Sequence, residues 1–176
     1  MRAFLESASD REGHGGGRGQ PAPSANYRPP SPASTGVGWA DQSGGAIDRE
    51  AMPVGHEANG ETLYACTAAF NNGNHPGKLR PAFGGCVIGY GGREYTVRQY
   101  STLLGQGRWI TASSQYQLPE GAYDGGNEAN DSPLYVCRAP FNGGLHPGKV
   151  GPSTGGCNVT YGGVEHTIYQ FEVLVP

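Results

Sequence analysis

Charge is scarce in this chain. Over 176 residues there are 12 Lys or Arg and 15 Asp or Glu, a formal net charge of −3, and charged residues make up only 15%. The basic excess that grips phosphates or an anionic membrane is missing, which disfavours nucleic-acid and membrane-surface binding. No run approaches the ~18 apolar residues of a membrane span. The opening residues MRAFLESASD hold no apolar signal core, so the chain reads as cytoplasmic or exported by a non-classical route. Helical periodicity longer than a turn is absent. So are a Ser-His-Asp arrangement, a phosphate-cradling glycine loop and H-E-x-x-H. Two carboxylates (Glu57 with Glu94, or Glu128 with Glu165) could serve a glycosidase at about 5–10 Å apart, but nothing in the sequence imposes that spacing. A non-enzymatic protein without cofactor or metal is expected.

Glycine, by contrast, is abundant at 31 residues, beside 14 prolines and 10 tyrosines. Gly- and Tyr-rich sequence with short apolar runs predicts an all-β fold with many tight turns. Residues 1–36 are rich in Gly, Pro, Ser and Ala. They bury too little apolar surface to offset ordering entropy, so a disordered arm is predicted there.

The remainder is written twice. Residues 55–103 moved by 71 positions (137 − 66 = 71) fall on 126–174 without a gap, with about half the positions identical. Leu63-Tyr64-x-Cys66 returns as Leu134-Tyr135-x-Cys137, His75-Pro76-Gly77-Lys78 as His146-Pro147-Gly148-Lys149, and Tyr90-Gly91-Gly92-x-Glu94 as Tyr161-Gly162-Gly163-x-Glu165. Two modules follow, 37–106 and 107–176. Each is marginal alone, so a shared core is expected. The four cysteines obey the repeat, Cys66 with Cys86 and Cys137 with Cys157. With no C-x-x-C they do not have zinc-finger spacing. Plain buried thiols and one disulfide per module both remain open.

In the second module, Trp109-Ile110 opens a strand, and Pro133 to Ala139 alternates Tyr135, Cys137 and Ala139 against Leu134, Val136 and Arg138. Phe141 to Lys149 reads as a loop, with His-Pro-Gly-Lys as a type II turn that aims the lysine. Gly162-Gly163 marks a hairpin, and Val164 to Val175 reads as one long strand. The predicted architecture is antiparallel and sandwich-like, two modules about a pseudo-twofold axis. His75 and His146 are read as structural or exposed turn residues ahead of pocket lining, and Tyr64, Tyr135, Tyr90 and Tyr161 as core packing ahead of sugar stacking. Glu94 and Glu165 are read as cross-strand partners, and Trp39 and Trp109 as fillers of their own modules.

Taken together, L-Y-x-C, then N-x-G-x-x-P-G-K, then G-C-x-(V/I)-x-Y-G-G-x-E and a closing Q-(Y/F)-x-x-L strand resemble the DM-nine repeat over residues 39–176. That family occurs in tandem pairs in invertebrate lectin-like proteins and beside natterin-type pore-forming domains. The resemblance implies an all-β tandem and metal-independent recognition of mannose by an acidic residue before the L-Y strand and the lysine of the P-G-K segment. Carried over, these are Glu57 and Lys78 in one copy, Glu128 and Lys149 in the other. The family often has Asp where both copies here have Glu, which moves the carboxylate by one methylene.

A carboxylate accepting from vicinal hydroxyls and an ammonium donating to hydroxyl oxygens make a sensible hexose clamp. Asn59 and Asn130 could add amide contacts. The plainer alternative is a pair of solvated charges or a weak salt bridge. Carbohydrate binding through two quasi-equivalent sites, in a homodimer or other homo-oligomer that gains avidity, is the expectation. The competing one is an assembly protein whose repeats are rigid blocks linked by the N-terminal arm.

Overall fold

The computed structural model describes residues 36–176. The arm read for residues 1–36 lies, but for its last residue, outside them. Fourteen strands and one 3-10 turn (Pro81–Phe83) make up the regular structure of these residues, so the all-β class is what the chain adopts. The first repeat supplies β1 (Val37–Ser43), β2 (Pro53–His56), β3 (Thr62–Phe70), β4 (Gly73–Leu79), β5 (Cys86–Tyr90), β6 (Arg93–Val97) and β7 (Gln99–Gly105). The second supplies β8 (Arg108–Ala112), β9 (Asp124–Asn127), β10 (Pro133–Phe141), β11 (Gly144–Val150), β12 (Cys157–Tyr161), β13 (Val164–Ile168) and β14 (Phe171–Val175).

All pairings are antiparallel and join the strands into a single network. Each copy has the same internal ladder, and the copies are stitched by exchange. Strand β2 pairs with β11 at His56 and Leu145, and β4 pairs with β9 at Asn74 and Asn127. At the centre β6 meets β13, with Arg93 opposite Val164. Since 93 + 71 = 164, this residue faces its own repeat mate, as a twofold axis between antiparallel strands demands. The pairings β2–β3–β4–β9–β10–β11–β2 form a closed cycle, which gives the sheet barrel-like closure and leaves those strands no free edge.

Three apolar clusters fill the interior. One belongs to the first repeat around Cys66, Leu79, Cys86 and Ile88, and its counterpart holds Cys137, Val150, Cys157 and Val159. The third is shared: Val54, Ala65 and Leu103 meet Val136 and Leu174. Trp39 and Trp109 both pack on this shared cluster rather than each in its own module. A core built jointly is how two modules of marginal size reach adequate burial. The open cysteine alternatives resolve to one disulfide per repeat, Cys66–Cys86 and Cys137–Cys157.

Two local expectations fail. Phe141 to Lys149 is not a loop. The turn sits at Asn142-Gly143, and at Asn71-Asn72 in the first copy, where positive φ values of 49°, 80°, 45° and 61° close two-residue hairpins. His-Pro-Gly-Lys therefore lies inside a strand in both copies. Its glycine answers to packing, because a Cβ on Gly77 or Gly148 would overlap the carbonyl oxygen of Val87 or Asn158. Its proline sits where the outer edge of β4 passes from β9 (Asn74 opposite Asn127) to β5 (Lys78 opposite Val87), a place that tolerates a missing N–H. Val164 to Val175 is also two strands rather than one. The chain breaks at Tyr169-Gln170 because β13 serves β12 and β6 while β14 serves β10 and β8. The Gly91-Gly92 and Gly162-Gly163 hairpins form as read, all four glycines at positive φ.

Candidate functional site

The P-G-K lysines lie on β4 and β11 and are almost wholly buried, Lys78 at 4% and Lys149 at 3% exposure. A lysine this deep requires polar partners, and here the carbonyls that accept from it come from the other repeat. Lys78 Nζ donates to the Thr160 carbonyl at 2.6 Å, and Lys149 Nζ donates to the Gly89 carbonyl at 2.6 Å. These carbonyls are themselves repeat mates, since 89 + 71 = 160. The exchange of strands across the twofold thus makes each site composite.

Acids complete each site. Glu94 Oε2 lies 3.9 Å from Lys78 Nζ, and Glu165 Oε2 lies 3.7 Å from Lys149 Nζ. Both are more than the cross-strand partners the sequence suggested. Burial pushes each lysine below its usual range; the charges of Glu94 and Glu57 oppose this at Lys78, and those of Glu165 and Glu128 at Lys149. The predicted acids Glu57 and Glu128 follow β2 and β9 in tight loops whose backbone closes on itself, Glu57 N–H donating to Glu61 O and Glu128 N–H to Ser132 O. Each is anchored differently. Arg80 Nε stands 3.4 Å from Glu57 Oε1, whereas Ser153 Oγ donates to Glu128 Oε1 at 2.9 Å.

Around the first site, Glu57, Asn59, Lys78, Arg80 and, from the other repeat, Tyr161 and Gly162 line a cleft of about 350 Å³. Acid and lysine, distant in sequence, line one cleft. Asn59 is there too, but its amide is spent locally, accepting from Glu61 N–H at 3.0 Å and donating to Glu61 Oε1 at 2.9 Å. Asn130 repeats half of this, accepting from Ser132 N–H.

Of the readings open for the histidines, the exposed and the turn-borne ones fail, because both residues lie inside strands. His75 and His146 are fully buried. His75 Nε2–H donates to Phe70 O at 3.2 Å, which leaves Nδ1 as the acceptor for Lys149 Nζ at 3.1 Å. Burial, then the nearby lysine charge, holds both imidazoles below their usual range. Tyr90 and Tyr161, read as core, stand edge-on to His75 and His146 and within 6.0 and 5.7 Å of the opposite repeat's lysine. Arg80 had no signal in the repeat, because its mate is Gly151. The roles of Tyr161 and Tyr90 had one, since Y-G-G repeats at a hairpin, but only the exchange of strands shows which lysine they serve.

Among the described residues no cluster of His, Cys, Asp and Glu is arranged to hold a metal ion, and no helix is long and apolar enough to cross a membrane. The crystal structure of the nematode sperm cell motility protein MFP2B is similar, with a TM-score of 0.60 and 17% identity over 84% of this chain. The chain spans about 48% of the length of that neighbour, and the likeness is one of fold. No curated protein matches. The family model of the DM9 repeat matches twice, over residues 30–97 and 70–168. The second match starts inside the first. This chain belongs to the DM9 repeat family.

Proposed function

We propose that this protein binds carbohydrate, mannose or a related hexose, at two quasi-equivalent sites, Glu57 with Lys78 and Glu128 with Lys149. The observation that carries the reading is the pairing of an anchored carboxylate with a preorganised ammonium at the wall of an open, aromatic-edged cleft. One proton of Lys78 is spent on Thr160 O, so the ammonium keeps donors for hydroxyl oxygens while Glu57 accepts from a vicinal pair. Tyr161, 37% exposed, offers its ring as a wall for the apolar face of a sugar. The role is binding without turnover and without a metal. A single site holds a monosaccharide weakly, and avidity comes from two sites per chain and from association of chains.

The test is retention of the full chain on mannose-agarose, with and without chelator. Lys78→Met together with Lys149→Met, which keeps both aliphatic stems, is expected to abolish retention while the circular dichroism spectrum stays native. Undiminished retention would refute the assignment, and loss on chelation would mean a metal-dependent site elsewhere. A second reading, a rigid block in an assembly, draws on the interlocked strands and on the motility protein that shares the fold. It gains if glycans fail to bind and the protein forms large defined particles.

A further inference from the structure

The copies also differ on a four-strand row. In the second repeat the row reads Thr111, Glu172, Arg138, Pro147 across β8, β14, β10 and β11. In the first it reads Asp41, Ser101, Thr67, Pro76 across β1, β7, β3 and β4. Arg138 fills its half: the guanidinium lies 4.3 Å over the Trp109 ring, Nε donates to Glu172 Oε2 at 2.8 Å, and a second nitrogen donates to Val54 O at 2.9 Å.

The first repeat keeps this setting and lacks the arginine. Trp39 takes the place of Trp109, each standing opposite an equivalent leucine, Leu103 or Leu174. Gly125 O replaces Val54 O (54 + 71 = 125) and accepts from the short Thr67 hydroxyl at 2.6 Å. The acid has moved one strand over, to Asp41, where Ser101 Oγ holds its Oδ1 at 2.7 Å. With a threonine where the long side chain was, a cleft of about 380 Å³ opens, lined by Trp39, Thr67, Asn74, Asp124, Asn127 and Asp131 among others, none of them basic. Asp124 and Asp131 are additions of this half, since their repeat mates are Pro53 and Gly60. Gly126 N–H fixes the Asp124 carboxylate at 2.9 Å.

We propose that this cleft is a receptor for a guanidinium group, taking the arginine side chain of a partner protein in the place that Arg138 occupies in the other half. The chemistry selects arginine over lysine. A planar cation stacks on an indole face and forks onto carboxylates, whereas an ammonium is a compact, strongly hydrated point charge. Two lining acids, Asp124 and Asp131, without a lining cation, against the neutral Arg138–Glu172 pair opposite, supply the charge that draws it in.

The experiment follows the two indole N–H resonances of the full chain, assigned with Trp39→Phe, during titration with N-acetylarginine amide. The Trp39 signal is expected to move saturably while that of Trp109 stays still. N-acetyllysine amide is expected to bind about tenfold more weakly. Asp124→Asn with Asp131→Asn is expected to weaken arginine binding about tenfold while leaving the fold intact. Thr67→Arg with Ser101→Glu rebuilds the occupied half and is expected to abolish it. A still Trp39 signal, equal binding of the two amides, or binding indifferent to the aspartate changes would each overturn the proposal, and the aspartate pair decides the matter even if the rebuilt variant does not fold.

Discussion

The Glu57–Lys78 and Glu128–Lys149 sites share a frame and differ in what each charged group is already doing. Lys78 spends one proton, on Thr160 O, whereas Lys149 spends two, on Gly89 O and on His75 Nδ1. Glu57 is drawn to a cation and Glu128 to a hydroxyl. The first site thus has the freer donor. The source of the difference between the acids is one short segment. Where the second copy has Gly151-Pro152-Ser153-Thr154, the first has Arg80 and a 3-10 turn ending in Phe83, whose ring lies 4.5 Å from the Arg80 guanidinium carbon and 5.5 Å from Lys78 Nζ. Arg80 also bonds Glu61, whose counterpart is Ser132. Duplication conserved the strand register and the buried lysines, while the loop that anchors the acid was free to drift.

Separating the two sites gives the largest expected effect. Lys78→Met or Lys149→Met alone should reduce the mannose stoichiometry in calorimetry from two sites to one and cost the altered site about 2 kcal/mol or more, the range of a lost charged hydrogen bond. If either single change silences both sites, they are coupled and not merely duplicated. A smaller effect is expected from the anchors. Arg80→Gln should weaken the first site alone and Ser153→Ala the second alone, each by about 1 kcal/mol, or roughly fivefold. An effect of either on the opposite site would show that the acid loops communicate through the shared core.

The smallest effect is a dependence on pH. Burial keeps His75 and His146 below their usual 6.5, so the unfolded chain takes up their protons first. The stability these neutral rings contribute is complete above about pH 6.5 and declines as pH falls through 6.5 towards the folded values. A thermal unfolding series across pH 7.5 to about 5 should therefore show the midpoint dropping on the acid side, and His75→Gln with His146→Gln should flatten that slope. Binding should lose more at the Glu128–Lys149 site, because protonating His75 removes the acceptor that Lys149 uses. Equal acid sensitivity at both sites would make that hydrogen bond irrelevant to binding.

Much of this was legible at the level of residues. Alternation of Tyr135, Cys137 and Ala139 against Leu134, Val136 and Arg138 marked strand β10 and its two faces, because side chains in a strand must alternate. Gly91-Gly92 and Gly162-Gly163 marked hairpins because two successive positive φ values favour glycine. The misreading of His-Pro-Gly-Lys has a plain cause. Pro-Gly before a lysine satisfies a turn and also satisfies a strand that another backbone crosses closely, and local sequence does not distinguish the two. Gly77 is glycine because of the Val87 carbonyl, a neighbour supplied by tertiary structure.

The sequence by itself determined the duplication, the all-β class, the Gly-Gly hairpins and the repetition of an acid and a lysine at fixed offsets, since these are properties of short stretches of chain. Only the tertiary structure decided that β2 and β9 cross to the opposite repeat, and with that crossing everything composite follows. Lys78 rests on Thr160 and Tyr161, Lys149 rests on Gly89, Tyr90 and His75, and Trp39 and Trp109 share one core. Strand exchange leaves no local mark because an edge strand presents the same N–H and C=O groups to its own repeat as to the other. The choice is made by the joint core, which two modules of this size need in order to bury enough apolar surface.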